Sequence, residues 1–301
     1  MIRDLRSSLS TSAWKQYSKA WADFTHFCDT MLSTTHIPAS TLTISLYVTH
    51  LHQTGLKHTT IRTILSSIAF QHKINDYPDP TKSFATQKLL LAYTRTDPPP
   101  TTRKPITQSI LAHLLQVLKC SDNTSYDKRL YRALFSVMYH GALRISELCN
   151  SKTSNHTLSR QQLNIITFKK SQCLKIAFTS FKHSVPSPQP LLVHPTHRST
   201  CPINSFTKYI KIRPKGKQNS PAFCRPDGHS ISRAQVVNML SSLLNVAGYT
   251  PKHYNTHSFR IGRATDLALQ GFSHAQIALQ GRWKSNAFLR YIKPNVVHSK
   301  E

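Results

Sequence analysis

The chain has 301 residues, with 39 Lys plus Arg against 12 Asp plus Glu, a formal net charge of +27 that calls for a polyanionic partner, and nucleic acid is the expected one. No apolar run approaches the ~20 residues needed to cross a bilayer, and the N-terminal MIRDLRSSLSTSAWK lacks the apolar core of a signal peptide, so a soluble intracellular protein with no membrane partner is expected. The six cysteines show no CxxC or zinc-finger spacing, so neither a disulfide framework nor a structural zinc is indicated and reduced, mostly buried thiols are expected.

In chain order, the first helical signal is the stripe Trp14, Tyr17, Trp21, Phe24, Cys28 and Met31, whose steps of three and four place it on one core-facing side behind Ser12 as N-cap. Further helices are predicted over 39–54, 59–75 and 81–95, giving a small four-helix domain over residues 1–95. Lys15, Lys19, Lys57, His58, Arg62, Lys82 and Lys88 line its expected outer face. The stretch 96–104, TDPPPTTRK, cannot continue a helix and reads as a linker. Beyond it, over 105–301, helices at 107–119 and 127–139 are followed by strands at 163–168, 174–179 and 189–193. Helices return at 202–212, 232–247, 257–270, 274–280 and 285–292. The predicted fold is therefore mainly α, a helical N-terminal domain followed by an α+β domain with a small antiparallel sheet.

The chemistry concentrates in the second domain. From Leu148 to Pro226 there is no carboxylate, while thirteen Lys and Arg residues fall there, as expected of a surface laid against phosphates. In HSFRIGR, His257 and Arg260 lie at i and i+3, on one side of the first turn of a helix that Thr256 would cap. A helix start favours an anion, and Arg260 adds a two-pronged grip on phosphate oxygens. In HGALRISELC, Arg144 follows the small pair Gly141 and Ala142, and Glu147 one turn later is placed to orient a nearby arginine or histidine. In GRWKSNAFLRY, Tyr291 follows Phe288 by three and Ala287 by four, positions that can anchor it with its hydroxyl toward the basic cleft.

ALRISEL, HSFRIGRAT and GRWKSNAFLRYI, in this order, make the chain resemble the tyrosine recombinase family of phage-type integrases and transposon recombinases. In form GRWKSNAFLRYI is most similar to recombinases of eukaryotic mobile elements. The resemblance implies a helical, SAM-like core-binding domain over 1–95 and a catalytic domain over 105–301, clamped around double-stranded DNA. It implies Tyr291 as the nucleophile that becomes linked to the 3′ phosphate, with Arg144 and Arg260 gripping the non-bridging oxygens, His257 assisting proton movement and Lys182, in TSFKHS, protonating the leaving 5′ oxygen. Glu147 takes a supporting role.

The family places His or Trp directly after the glycine ten positions before the tyrosine. Here Gly281 is that glycine, Arg282 fills the next place and Trp283 follows, so either Arg282 substitutes as a phosphate donor or Trp283 takes the role by a one-residue shift, the second being preferred. The resemblance further implies a homotetramer on two DNA sites, no metal and no cofactor. In a eukaryotic host the protein would work in the nucleus, with KIRPKGK from Lys211 as an import signal or phosphate-binding surface, and otherwise in the cytoplasm or nucleoid.

Three other readings compete with this one. A metal-dependent nuclease is poorly supplied with carboxylates, the main acids of the second domain being Glu147, Asp227 and Asp266. A tyrosine-using topoisomerase would share the chemistry and relax DNA without a specific site. A domesticated DNA-binding protein that has lost catalysis would keep the fold and form no covalent adduct.

Overall fold

Three serines set where the N-terminal helices begin. Ser10, Ser40 and Ser83 each accept a hydrogen bond from the backbone N–H three residues on, of Ala13, Thr43 and Thr86, satisfying a donor that the helix start leaves open. The computed structural model describes residues 2–98, 103–149, 157–179 and 189–293. It divides into two compact units, 1–100 and 101–301, with the break at the end of the proline run.

The first unit holds α1 (Ile2–Ser7), α2 (Thr11–Phe27), α3 (Thr41–Gln53), α4 (His58–Ile74) and α5 (Phe84–Thr96). Two expectations are corrected. The cap of α2 is Ser10 instead of Ser12, and a short α1 precedes it. The apolar stripe also ends early: Phe24 and Cys28 are buried, but Met31 is 63% exposed. The cause is a π-turn over Cys28–Leu32, which advances the chain more slowly around the axis than an α-helix and carries Met31 out of phase with the core face. Phe24, Ile44, Val48, Ile61, Ile68 and Leu90 form the core of the unit. His58 turns away from the expected outer face. Its backbone N–H and its Nδ1 both lie 2.6 Å from Asp97 Oδ2, so the carboxylate beyond α5 caps α4, where Lys57 offers no side-chain cap.

The second unit begins with α6 (Gln108–Cys120) and α7 (Ser125–His140), which pack together through Leu111, Leu114, Leu134 and Phe135. The short α8 (Ile145–Leu148) follows, and then β1 (Leu163–Phe168), β2 (Ser171–Ile176) and β3 (Leu191–Val193), an antiparallel sheet in the order β1-β2-β3. The second strand starts three residues earlier than the hydrophobic pattern places it. Phe168 pairs with Ser171, and Lys169 and Lys170 make a two-residue turn with φ of 46° and 64°. Positive φ at both turn residues matches the twist of a tight hairpin, a geometry usually signalled by Asn-Gly.

Then come α9 (Pro202–Ile210), α10 (Arg233–Val246), α11 (Ser258–Leu269), α12 (His274–Gly281) and a 3-10 turn over Asn286–Tyr291. A separate small cluster of Ala264, Leu267, Ile277 and Phe288 holds α12 and this last turn against α11. The start of α11 is also pinned to the start of the unit: Ile106 N–H donates to Ser258 O at 2.9 Å, and a Cβ on Gly262 would meet Ile106 O at 1.8 Å, so only glycine admits this approach. Five of the six cysteines are buried and Cys120 is exposed. Burial pushes the Cys28 thiol up to about 11 and that of Cys149 up to about 12, as befits packing residues.

Candidate active site

Four segments of the second unit converge: the turn after α7, the start of α8, the first half of α11, and the stretch from the end of α12 to Tyr291. The α7 helix ends at Gly141, and Ala142 follows with φ of 44°. That left-handed turn costs a non-glycine residue about 1 kcal/mol or more, and it directs the Ala142 carbonyl to the guanidinium of Arg260, which donates to it through Nη1.

Arg260 is 1% exposed. Its Nη2 donates to Gly281 O at 2.5 Å, and its guanidinium lies 4.3 Å from the centre of the Trp283 ring. Two backbone carbonyls and an aromatic face thus fix a buried cation, and among the described residues no carboxylate hydrogen-bonds to it. Burial first, then the positive charges of Arg144 and Arg282, pull its pKa down to about 9. It remains charged at neutral pH, in an environment that an added anion would relieve.

Arg144 is the N-cap residue of α8. Its backbone N–H donates to Glu147 Oε2 at 2.8 Å and its Nη1 to Oε1 at 3.4 Å, while the side chain keeps 26% exposure. Glu147 is 2% exposed, so this is a buried carboxylate and no surface ion pair. Its second partner is Arg282, whose Nη2 donates to Oε2 at 3.0 Å. Arg282 sits in the left-handed region, φ 55°, with its guanidinium 4.0 Å from the centre of the Phe178 ring.

The two residues competing for one family position therefore have different surroundings. Arg282 is turned to Glu147, whereas Trp283 covers Arg260 and touches Phe288 and Tyr291 at ring separations of 5.6 Å each. The Trp283 indole N–H is buried and has no hydrogen-bond partner among the described residues. Its ring passes so close to Gly281 that a Cβ there would lie 1.8 Å from it.

The start of α11 corrects another expectation. Its N-cap position is His257 itself, not Thr256, and no side chain caps it. The turn is instead closed by Asn255, whose Oδ1 accepts from His257 N–H at 2.8 Å and whose N–H donates to Ser258 Oγ at 3.0 Å. The imidazole is thereby free of capping duty and meets Tyr291 edge-on, with ring centres 4.9 Å apart. Burial, followed by the charges of Arg260 and Arg144, lowers the His257 pKa to about 4, so the ring is neutral at pH 7.

Tyr291 closes the 3-10 turn, half-buried against His257 and Trp283. Its backbone is tied down by a residue that sequence reasoning passed over: Thr265 Oγ1 donates to Tyr291 O at 2.9 Å and accepts from Lys293 N–H at 3.1 Å. Thr265 does stand within HSFRIGRAT, but nothing in the spacing reveals what it holds. Asp266, which the sequence offered only as one of the few acids of the second domain, accepts from Tyr139 Oη and, at 2.6 Å, from Gln108 N–H. It joins α11, α7 and α6 behind the site, and burial raises its pKa.

Of the expected site residues, Arg144, Glu147, His257, Arg260, Arg282, Trp283 and Tyr291 are brought together. Lys182 lies outside the described residues. The assembled groups are two arginines and an indole N–H beside a tyrosine and a neutral imidazole, a set able to hold a tetrahedral or trigonal-bipyramidal anion against a hydroxyl nucleophile. Among the described residues no three His, Cys, Asp or Glu side chains are grouped to hold a metal ion, and no helix is long and apolar enough to cross a membrane.

Comparison with known proteins names the class. Residues 106–295 match the model of the phage integrase family, and the chain belongs to that family of tyrosine recombinases. Its fold is similar to that of the Tn1549 transposon integrase in complex with circular intermediate DNA, at 14% identity and a TM-score of 0.62 over 97% of this chain and 95% of that one. A variant of the same integrase with transposon right end DNA gives 15% identity and 0.64, covering 97% and 94%. The XerH site-specific recombinase bound to its difH substrate gives 11% and 0.57, covering 92% and 73%. No curated protein sequence matches the chain.

Proposed function

We propose that this protein cuts and rejoins double-stranded DNA at specific sites through a covalent link to Tyr291, in DNA recombination or integration. The observation that carries the reading is the seating of Tyr291 against His257 and Trp283 beside the buried Arg260, residues that are up to 34 positions apart in sequence and adjacent in space. The tyrosine hydroxyl attacks the scissile phosphorus and gives up its proton, with neutral His257 as the nearby acceptor. The phosphorus forms a bond to the tyrosine oxygen and loses its bond to the 5′ oxygen, which leaves as a hydroxyl after gaining a proton. Lys182 is the proposed donor of that proton.

Arg144, Arg260 and the Trp283 N–H stabilise the charge that builds on the non-bridging oxygens, each worth on the order of 10²-fold or more in rate by comparison with single oxyanion donors. Arg282 supports the site through Glu147. Because the phosphotyrosyl bond conserves the energy of the phosphodiester, resealing by attack of a 5′ hydroxyl needs neither metal nor ATP. The further proposals are a homotetramer on two DNA sites, origin in a eukaryotic mobile element, and action in the nucleus of such a host. What supports the strand-exchange reading itself is that the Tn1549 integrase is described with circular intermediate DNA and with transposon right end DNA, and XerH with its difH substrate.

The test is covalent trapping. Wild type and Tyr291→Phe are incubated, without metal, with nicked suicide DNA from the element's own ends. An SDS-resistant adduct with wild type alone is expected. Tight, salt-sensitive binding with no adduct would replace this reading by that of a DNA-binding protein without catalysis.

A further inference from the structure

On the second unit, away from the residues just described, a cavity of about 480 Å³ opens between the end of α6, the first half of α7, the 198–199 loop and α9. Six cations line it: Lys119, Lys128, Arg129, Arg132, Arg198 and Lys208. No carboxylate does. Among the described residues none of the six takes part in an ion pair, although the unit has acids close in sequence. Asp127, beside Lys128, instead bonds Thr124 Oγ1 at 2.8 Å and stays outside the cavity.

The walls are built into the fold. Half-buried Arg132 donates to Leu115 O at 2.8 Å and to Ser199 O at 3.1 Å, tying α6 and the loop to α7. The remaining five cations come from all four elements, and apart from Arg198, which lies within electrostatic reach of Asp266, none of them faces a carboxylate in the cavity wall. A volume of this size suits a small ligand and is far too small for a duplex, and guanidinium and ammonium groups together select phosphoryl oxygens. None of the residues assigned to the cleavage site lines the cavity, although Arg198 also borders the neighbouring pocket that Arg282 and Trp283 line. Arg132 and His140 are separated by eight residues of α7, about 12 Å at 1.5 Å per residue, and Arg144 lies further on.

We propose that this cavity is a binding site for a compact polyphosphate, a small molecule carrying several clustered phosphoryl groups, distinct from the DNA-cleaving site. The proposal stands independently of the strand-cleavage reading. A ligand there neutralises the lining cations and braces α7, whose far end positions Ala142 and Arg144.

The experiment is isothermal titration calorimetry of the full chain, at physiological salt, with sodium tripolyphosphate and with inositol hexakisphosphate. Wild type should bind one molecule per chain saturably. Arg129→Gln/Lys208→Gln should bind at least tenfold more weakly, whereas Lys211→Gln/Lys215→Gln, which removes the same charge outside the cavity, should stay within twofold of wild type. Should the first variant not melt cooperatively, Lys119→Gln/Lys128→Gln on the opposite wall replaces it, with the same tenfold loss expected. Absence of saturable binding, or an equal loss in cavity and control variants, would overturn the proposal. The DNA arm separates the two sources of phosphate: if a short duplex displaces tripolyphosphate and the cavity variant loses DNA affinity by the same factor, the cavity is part of the DNA track and the separate site is refuted.

Discussion

Replacing Glu147 with Gln keeps the shape of the side chain and removes the charge that holds two arginines. In the structure Oε2 lies 3.0 Å from Arg282 Nη2, with the carboxylate side chain 2% and the guanidinium side chain 10% exposed. At an effective dielectric of about 20 their attraction is on the order of 5 kcal/mol, and removing one partner of a buried pair costs about 3–5 kcal/mol because the other is left without its counter-charge. The amide retains hydrogen bonding, so the lower end, about 3 kcal/mol, is expected. For a unit of this size that lowers the melting temperature by roughly 6–12 °C. Arg282→Met removes the other partner, and the double variant should be more stable than the sum of the single losses by about 1.5 kcal/mol or more, since two buried charges leave together. Cleavage should not follow stability: Arg144 loses its 3.4 Å contact in both Glu147 variants, so adduct formation should stay low in the double variant. Calorimetric melts of the four proteins, read beside adduct yield, provide the assay. A Glu147→Gln melt within 2 °C of wild type, or strictly additive losses, would refute the reasoning.

Three further outcomes are expected. Gly281→Ala forces the Trp283 ring off its place, since the new Cβ would lie 1.8 Å from it, and adduct yield in the suicide-DNA assay should fall about 10²-fold with binding retained; equal yields would mean the ring is not needed there. Gly262→Ala sets a Cβ against the immovable Ile106 carbonyl and should cost about 3 kcal/mol, at the upper end of overpacking, read as a lower urea midpoint. Burial lowers the pKa of His257 to about 4 and of His140 to about 3, so between those values and about 6.5 the unfolded chain binds protons that the folded chain refuses. The stability these two neutral histidines contribute is therefore fully present above about pH 6.5 and declines as pH falls toward 4, and His257→Gln should flatten part of that slope in melts from pH 7.5 to 4.5. An unchanged slope would mean that His257 titrates normally.

Much of this molecule is written locally. A proline run marks the break between units and the helical pattern marks α6 and α7 to within two residues, because each of these signals acts through neighbours along the chain, although the same reading put the cap of α2 at Ser12 and not at Ser10. The misses share the opposite cause. The π-turn that exposes Met31 and the Lys169–Lys170 hairpin that shifts β2 are backbone states imposed by packing on either side, and neither uses the residues that normally announce them.

The site divides in the same way. Arg144, His257, Arg260 and Tyr291 are visible as motifs, but what holds Arg260 is invisible, since its partners are the carbonyls of Ala142 and Gly281, 118 and 21 residues away, and any residue type supplies a carbonyl. Arg282 and Trp283 illustrate the limit most clearly. As letters they compete for one family position, and the resemblance cannot choose between them. The backbone separates them: with Arg282 left-handed at φ 55°, one side chain reaches Glu147 and Phe178 while its neighbour lies over Arg260 and beside Tyr291. Gly281 makes both placements compatible, because a side chain at that position would collide with the Trp283 ring. The glycine, the arginine and the tryptophan thus act as one three-residue device, and substitution at its silent member should affect the site as strongly as substitution at Trp283 itself.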